Sequence, residues 1–136
     1  MRLELRILIG KVEECIEIKD FEKLNDVLIK IWELNDSSCI PAIALLIEDD
    51  YEFDEVMYSL VHFIEEFDLE TYIKHILSIT PKLFEKSPDW SRTLIVRIRN
   101  NQKGLKFYES YIGSISREQK KLLHKIINKM DLPVPK

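Results

Sequence analysis

Glycine is scarce in this chain of 136 residues: it occurs only at positions 10, 104 and 113. A phosphate-cradling loop, a dinucleotide fingerprint and a nucleophile elbow all need glycine at fixed offsets in tight turns, so none of the three can be written on this sequence. There is no HExxH pair. An EF-hand loop counted from Asp50 would require glycine at its sixth position and glutamate at its twelfth, where the chain has Glu55 and Val61. Cysteine is rarer still, with two residues. Cys15 and Cys39 have no CxxC spacing and lie among apolar helix-forming residues, so they are expected to be buried thiols and not a disulfide or a metal pair. Long hydrophobic runs are missing too. The longest, Ile40 to Ile47, is interrupted by Pro41 and falls far short of the ~20 residues of a bilayer span. Glu4 and Arg6 among the first leucines give no signal-peptide pattern, which makes the cytosol the expected compartment.

One absence is local. From Ile31 to Ile73 there is no lysine or arginine, yet the stretch holds twelve acids, ten of them between Glu48 and Glu70 and interleaved with Tyr51, Phe53, Tyr58, Phe63 and Phe67. Like charge at this density weakens the compact state by self-repulsion and raises the potential outside it, so it points to a surface built for a basic partner. The halves differ in sign. Residues 1–73 carry six basic and nineteen acidic side chains, net −13, and residues 74–136 carry fourteen and five, net +9, which together give the −4 of the whole chain. Such asymmetry implies either a charged partner or one half docked on the other.

What is present reads as helix. Leu5, Leu8, Ile9, Val12 and Ile16 share a helical face in residues 3–18, and Leu24, Val27, Leu28, Ile31 and Leu34 share another in residues 21–34, with Asp20 placed to cap it. Ser38 is expected to cap a short buried helix with Pro41 in its first turn. After the linker Asp49-Asp50-Tyr51-Glu52, a fourth helix turns Phe53, Val56, Met57, Leu60, Val61, Ile64 and Phe67 to the core. Asp68 is placed to cap a fifth. Thr80-Pro81 and Ser87-Pro88 each read as an N-cap followed by a first-turn proline, the former opening a short turn and the latter a helix to about Arg99. Leu105, Tyr108 and Ile112 mark a further helix. Ser116 to Gln119 is a capping box for the last one, and residues 131–136 read as a tail. The expected fold is therefore all-α, a single domain of about eight short to medium helices packed as helix pairs in a HEAT-like manner, with an acidic half (1–73), a basic half (74–130) and that tail. No clean repeat period is visible.

Candidate functional residues lie on the fourth helix. Opposite its core face, Glu55, Ser59, His62 and Glu66 follow one another at i, i+4, i+7 and i+11. Glu65, Glu66 and Asp68 sit at the helix end whose dipole disfavours them by roughly 0.3–1 kcal/mol each. A local rule broken in this way is what competition between function and stability produces. Asp54, Glu55, His62 and Glu66 could in principle hold a metal for a hydrolase, but a single histidine beside acids on a solvated face is far more often unliganded. His75 and His124 have no recognisable partners. Arg117, Lys121, Lys125 and Lys129 form a basic stripe that could follow a phosphate backbone. In a chain with a pI near 5.5 a solvated face, or balance against the acidic half, is the simpler reading. Trp90 reads as a packing anchor, and Trp32 even more so.

The run from Glu48 to Glu65, with Tyr72-Ile73, Pro88, Trp90 and Arg97 to Asn101 following it, resembles bacterial immunity proteins, and within them the immunity protein 30 family, over roughly residues 42–112. These are small helical antidotes encoded beside polymorphic or contact-dependent toxins. The resemblance implies a non-enzymatic protein without cofactor or metal that binds a cognate toxin stoichiometrically. Toxin domains of such systems are commonly nucleases, whose grooves must be basic to hold phosphates, and an acidic protein can fill such a groove as a charge mimic. On that reading Asp49, Asp50, Asp54, Glu55, Tyr58, His62 and Glu66 are the expected partner-binding residues. An adaptor for another basic protein would use the same face without rescuing cells from a toxin.

Overall fold

Where the sequence offers a carboxylate, carboxamide or hydroxyl one residue ahead of an apolar stripe, a helix starts. Asp20 accepts the amide of Lys23 at 3.2 Å, Asp68 that of Thr71 at 3.1 Å, and Asn101 that of Gly104 at 2.8 Å. Ser116 and Gln119 form the reciprocal capping box. The computed structural model describes residues 1–134. In them the chain forms eight helices: α1 (Leu3–Ile18), α2 (Phe21–Glu33), α3 (Cys39–Ala44), α4 (Asp54–Glu65), α5 (Leu69–Lys86), α6 (Pro88–Arg99), α7 (Gln102–Ser114) and α8 (Arg117–Asn128). Of the expected tail, residues 131–134 are non-helical and the last two residues lie outside those described.

Packing is pairwise, as the periodicity predicts. α1 turns back on α2 through Lys19, whose left-handed φ of 61° lets Asp20 donate its amide to Cys15 and close the helix. α5 pairs with α6 and also touches α3, α4, α7 and α8, so it is the axis on which both halves meet. A single apolar cluster runs from Leu5 to Met130. The inner face of α4 shows what holds the molecule together: Met57, Leu60, Val61 and Ile64 are completely buried and Val56 nearly so. Each contributes roughly 1.5–3 kcal/mol by leaving water. That far exceeds what the dipole charges against an acid at the far end of the same helix. No helix among the described residues is long and apolar enough to cross a membrane.

Four expectations need correction. Thr80-Pro81 does not open a new turn. α5 runs straight through Pro81, because Ile76, Leu77, Thr80 and Leu83 continue its buried face, and the Thr80 hydroxyl donates to the Ile76 carbonyl at 2.7 Å. Ser38 makes no side-chain cap; Asp36 accepts its amide at 3.0 Å instead. Phe53 and Phe67 flank α4 and are half-buried, outside the helix proper. Trp32 is no core anchor: it is 46% exposed.

The cysteines are buried and free as expected. Burial pushes the Cys39 thiol up to about 12 and raises that of Cys15 as well. Since the thiolate is the nucleophile, the native protein should show negligible reaction with Ellman's reagent at about pH 8, whereas the chain in guanidinium should release both equivalents. Fast reaction of one thiol in the native state would contradict the packing around α3.

Candidate partner-binding surface

The linker that carries the densest acids, Asp49 to Phe53, is tied down on both sides. Tyr51 donates its hydroxyl to the Ile16 carbonyl at 2.8 Å. Phe53 meets Phe21 edge-to-face at 5.5 Å, and Lys19 pairs with Glu52 while lying 5.8 Å over the Phe53 ring. From the other half, Lys86 reaches the Leu45 carbonyl and Ser87 donates to that of Ile47 at 2.9 Å. Ser87 therefore stands at the N-cap of α6 without capping it. Asp49 does so with both oxygens, accepting the amides of Asp89 and Trp90, forty and forty-one residues further along the chain, at 2.9 Å each. A carboxylate at a helix start also meets the positive dipole end. Losing it in Asp49→Ala should cost about 1–2 kcal/mol of stability, measurable as a lower urea midpoint with an unchanged m-value. A midpoint equal to that of the wild type would show the cap to be dispensable.

The acids of the cation-free stretch divide by what surrounds them. Asp36 pairs with Arg2 at 3.3 Å, Glu48 with Lys86 at 3.9 Å and Glu52 with Lys19. Glu65 accepts from Nε and Nη2 along one edge of the Arg97 guanidinium at 2.8 and 2.7 Å, which raises Arg97 above its ordinary value. Asp68 is held below the usual carboxylate range by hydrogen bonds from Thr71, as the cap of α5. Of the three acids that oppose the α4 dipole, two are thus accounted for structurally, and Glu66 alone keeps the anomaly. Glu33 and Glu70 are exposed without an ion-pair partner, and so, in and around α4, are the four acids Asp50, Asp54, Glu55 and Glu66, among the described residues.

Three of those four acids lie on or at the end of α4, whose outer face separates two hollows. On the α6 side a cavity of about 240 Å³ is lined by Asp49, Asp54, Tyr58, Asp89, Trp90 and Thr93. Tyr58, 39% exposed, stands edge-to-face on the nearly buried Trp90 at 4.7 Å, with the exposed His62 ring 6.1 Å away. On the α2 side a groove of about 520 Å³ lies between Asn25, Leu28, Ile29 and Trp32 of α2 and Ser59, Phe63 and Glu66 of α4. The expected residues Asp49, Asp54 and Tyr58 thus meet in one hollow and Glu66 borders the other. Glu55 and His62 are exposed on the helix between them, and Asp50 lies on the pinned linker. Asp89, Ile29 and Trp32 are additions that the sequence reading missed. Asn25, Ile29 and Trp32 recur at i, i+4 and i+7, a second face of α2 visible in the spacing. Asp89 gave no signal, because only the fold brings α6 beside α4.

A hollow of similar size to the groove, about 530 Å³, lies beyond Glu65 among Tyr72, Arg97, Asn100 and Asn101, with Arg97 engaged by Glu65 and Asn101 by Gly104. Among the described residues no three His, Cys, Asp or Glu side chains come together in a way that could hold a metal ion. The site thus offers carboxylates, one imidazole and exposed aromatic edges on a rigid helix, which is equipment for gripping cations and apolar side chains. Residues 11–108, well over half of the chain, match the family model described as immunity protein 30. The match reaches further towards the N-terminus than the resemblance over 42–112 and takes in α2 with Trp32, while α8 falls outside it. No curated protein and no solved structure matches the chain.

Proposed function

The chain belongs to the immunity protein 30 family, and from that premise we propose that it neutralises a cognate toxin domain in the cytosol by stoichiometric binding. Proteins of an immunity family protect by binding, so the chain is read as an antidote and not as an enzyme. The contact surface is the outer face of α4 with its neighbouring linker: Asp49 at its edge, then Asp50, Asp54, Glu55, Tyr58, His62 and Glu66. The observation that carries this reading is the set of exposed acids without a cationic neighbour among the described residues, borne on a helix whose other face is locked in the core.

The charge points to a partner with a basic surface, and a nuclease domain with a phosphate-binding groove has one. Complementary fields would raise association towards ~10⁸–10⁹ M⁻¹s⁻¹ at low salt, which suits an antidote that must act before its target is damaged. The test is co-expression with the toxin domain encoded beside this chain. Growth should be restored, and the two chains should co-elute as a 1:1 complex in gel filtration. Cell death despite accumulation of the folded protein, with no complex at micromolar concentration, would refute the proposal.

A further inference from the structure

Trp32 and Ile29 pose a question that charge does not answer. Ile29 is 58% exposed and Trp32 46%, on a helix whose core face is already filled by Leu24, Val27, Leu28 and Ile31. Single exposed apolar side chains are ordinary on a protein surface. These two, however, line a groove together with Leu28 and Phe63, and its polar edge is Asn25, Ser59 and Glu66. The ring of Trp32 is fixed in place by edge-to-face contacts with Phe67 at 5.0 Å and Phe63 at 6.3 Å, and those two rings meet at 5.8 Å. A large aromatic surface held rigid before binding loses little entropy on contact, which is what makes tryptophan a frequent anchor of binding energy.

We propose that this α2–α4 groove is the apolar anchor of the toxin interface, taking one aliphatic or aromatic side chain that the toxin presents between cations. The inference rests on the proposed function, and charge complementarity commits it to that occupant. Glu66 on the groove edge has no ion-pair partner among the described residues, nor has Glu55 three turns back along α4, and the chain supplies no lysine or arginine between Ile31 and Ile73. Cations flanking the inserted side chain would therefore find carboxylates on the α4 side. The groove, at about 520 Å³, has room for one large side chain. Acids set the speed and orientation of the encounter, and the groove sets how long the complex lasts.

The experiment measures association and dissociation of the toxin domain at two salt concentrations for wild type, Trp32→Ala, Ile29→Ser and the pair Asp54→Asn/Glu55→Gln. Ile29 lies outside the core, so its variant keeps the test valid if Trp32→Ala disturbs the Phe63–Phe67 cluster, which a thermal melt reveals. Trp32→Ala should weaken binding at least about 30-fold, almost wholly through faster dissociation and with an unchanged salt slope. Ile29→Ser should do the same to a smaller degree, and the acid pair should slow association and flatten the salt slope. Groove variants that bind like the wild type while the acid pair fails would overturn the groove and leave the proposed function standing. Normal binding by all variants would overturn both the groove and the acidic α4 face as contact surfaces, while leaving toxin binding itself established. A wild-type dimer that Trp32→Ala or Ile29→Ser converts to monomer would assign the groove to self-association and refute the toxin anchor.

Discussion

Replacing Asp54 and Glu55 together by lysine should abolish protection of co-expressing cells and raise the dissociation constant for the toxin domain about 100-fold or more at low salt. Both side chains are exposed in the first turn of α4 and have no ion-pair partner among the described residues, so no ion pair inside the molecule is lost with their charge. In the complex the new lysines would face cations, and like charges juxtaposed across an interface cost several kcal/mol. The cost to folding is smaller. Lysine at a helix start opposes the dipole by roughly 0.3–1 kcal/mol per residue, a modest fall in melting temperature that leaves the chain folded. A reversed variant that still protects cells would remove the outer face of α4 from the interface. Loss of protection together with loss of the fold would be uninformative for these lysines, and the isosteric Asp54→Asn/Glu55→Gln pair avoids that by keeping the shape.

The largest stability effect from a single added carbon is expected at Gly104. A β-carbon there would sit 2.5 Å from the Ile98 carbonyl oxygen and 3.3 Å from the Asn101 side chain, because the start of α7 presses on the end of α6. Both obstacles are on or next to the backbone, so the two helices would have to part. Gly104→Ala should therefore lose about 1–3 kcal/mol despite the better helix propensity of alanine. For a domain of this size that lowers the melting temperature by several degrees. Gly10 is the matched control: a β-carbon there meets nothing within 4 Å, so Gly10→Ala should gain about 0.5–1 kcal/mol. Equal effects at the two positions would mean that the α6–α7 contact is looser than the structure has it.

What could be read from the sequence was local. Asp20, Asp68 and the Ser116–Gln119 box each act on amides two or three residues away, so their spacing carried the whole signal. Leu94 to Arg99 alternate as a strand would, yet the Ser87-Pro88 start and the helical spacing of Trp90, Leu94, Ile95 and Ile98 carry α6 through them. Readings failed where a residue's partner lies far along the chain. The Ser87 hydroxyl went to Ile47 and left the cap to Asp49, and Thr80-Pro81 was overruled by burial on both sides of the proline. Composition likewise registers total charge and not pairing. Arg2, Lys19, Lys86 and Arg97 all come from outside the cation-free stretch to meet four of its acids, and only the fold separates those from Asp50, Asp54, Glu55 and Glu66. Trp32 was misplaced for a different reason: a large aromatic beside Ile31 suggests core, yet one step along a helix turns it about 100° away from the buried face.

Hydrogen–deuterium exchange of the chain with and without the toxin domain tests the assignment of the binding surface most directly. The toxin should slow exchange in α4 from Asp54 to Glu66 and in α2 around Asn25 to Trp32, and leave α8 as it is in the free protein. Slowed exchange confined to α8 and its basic stripe, with α4 and α2 unaffected, would contradict it.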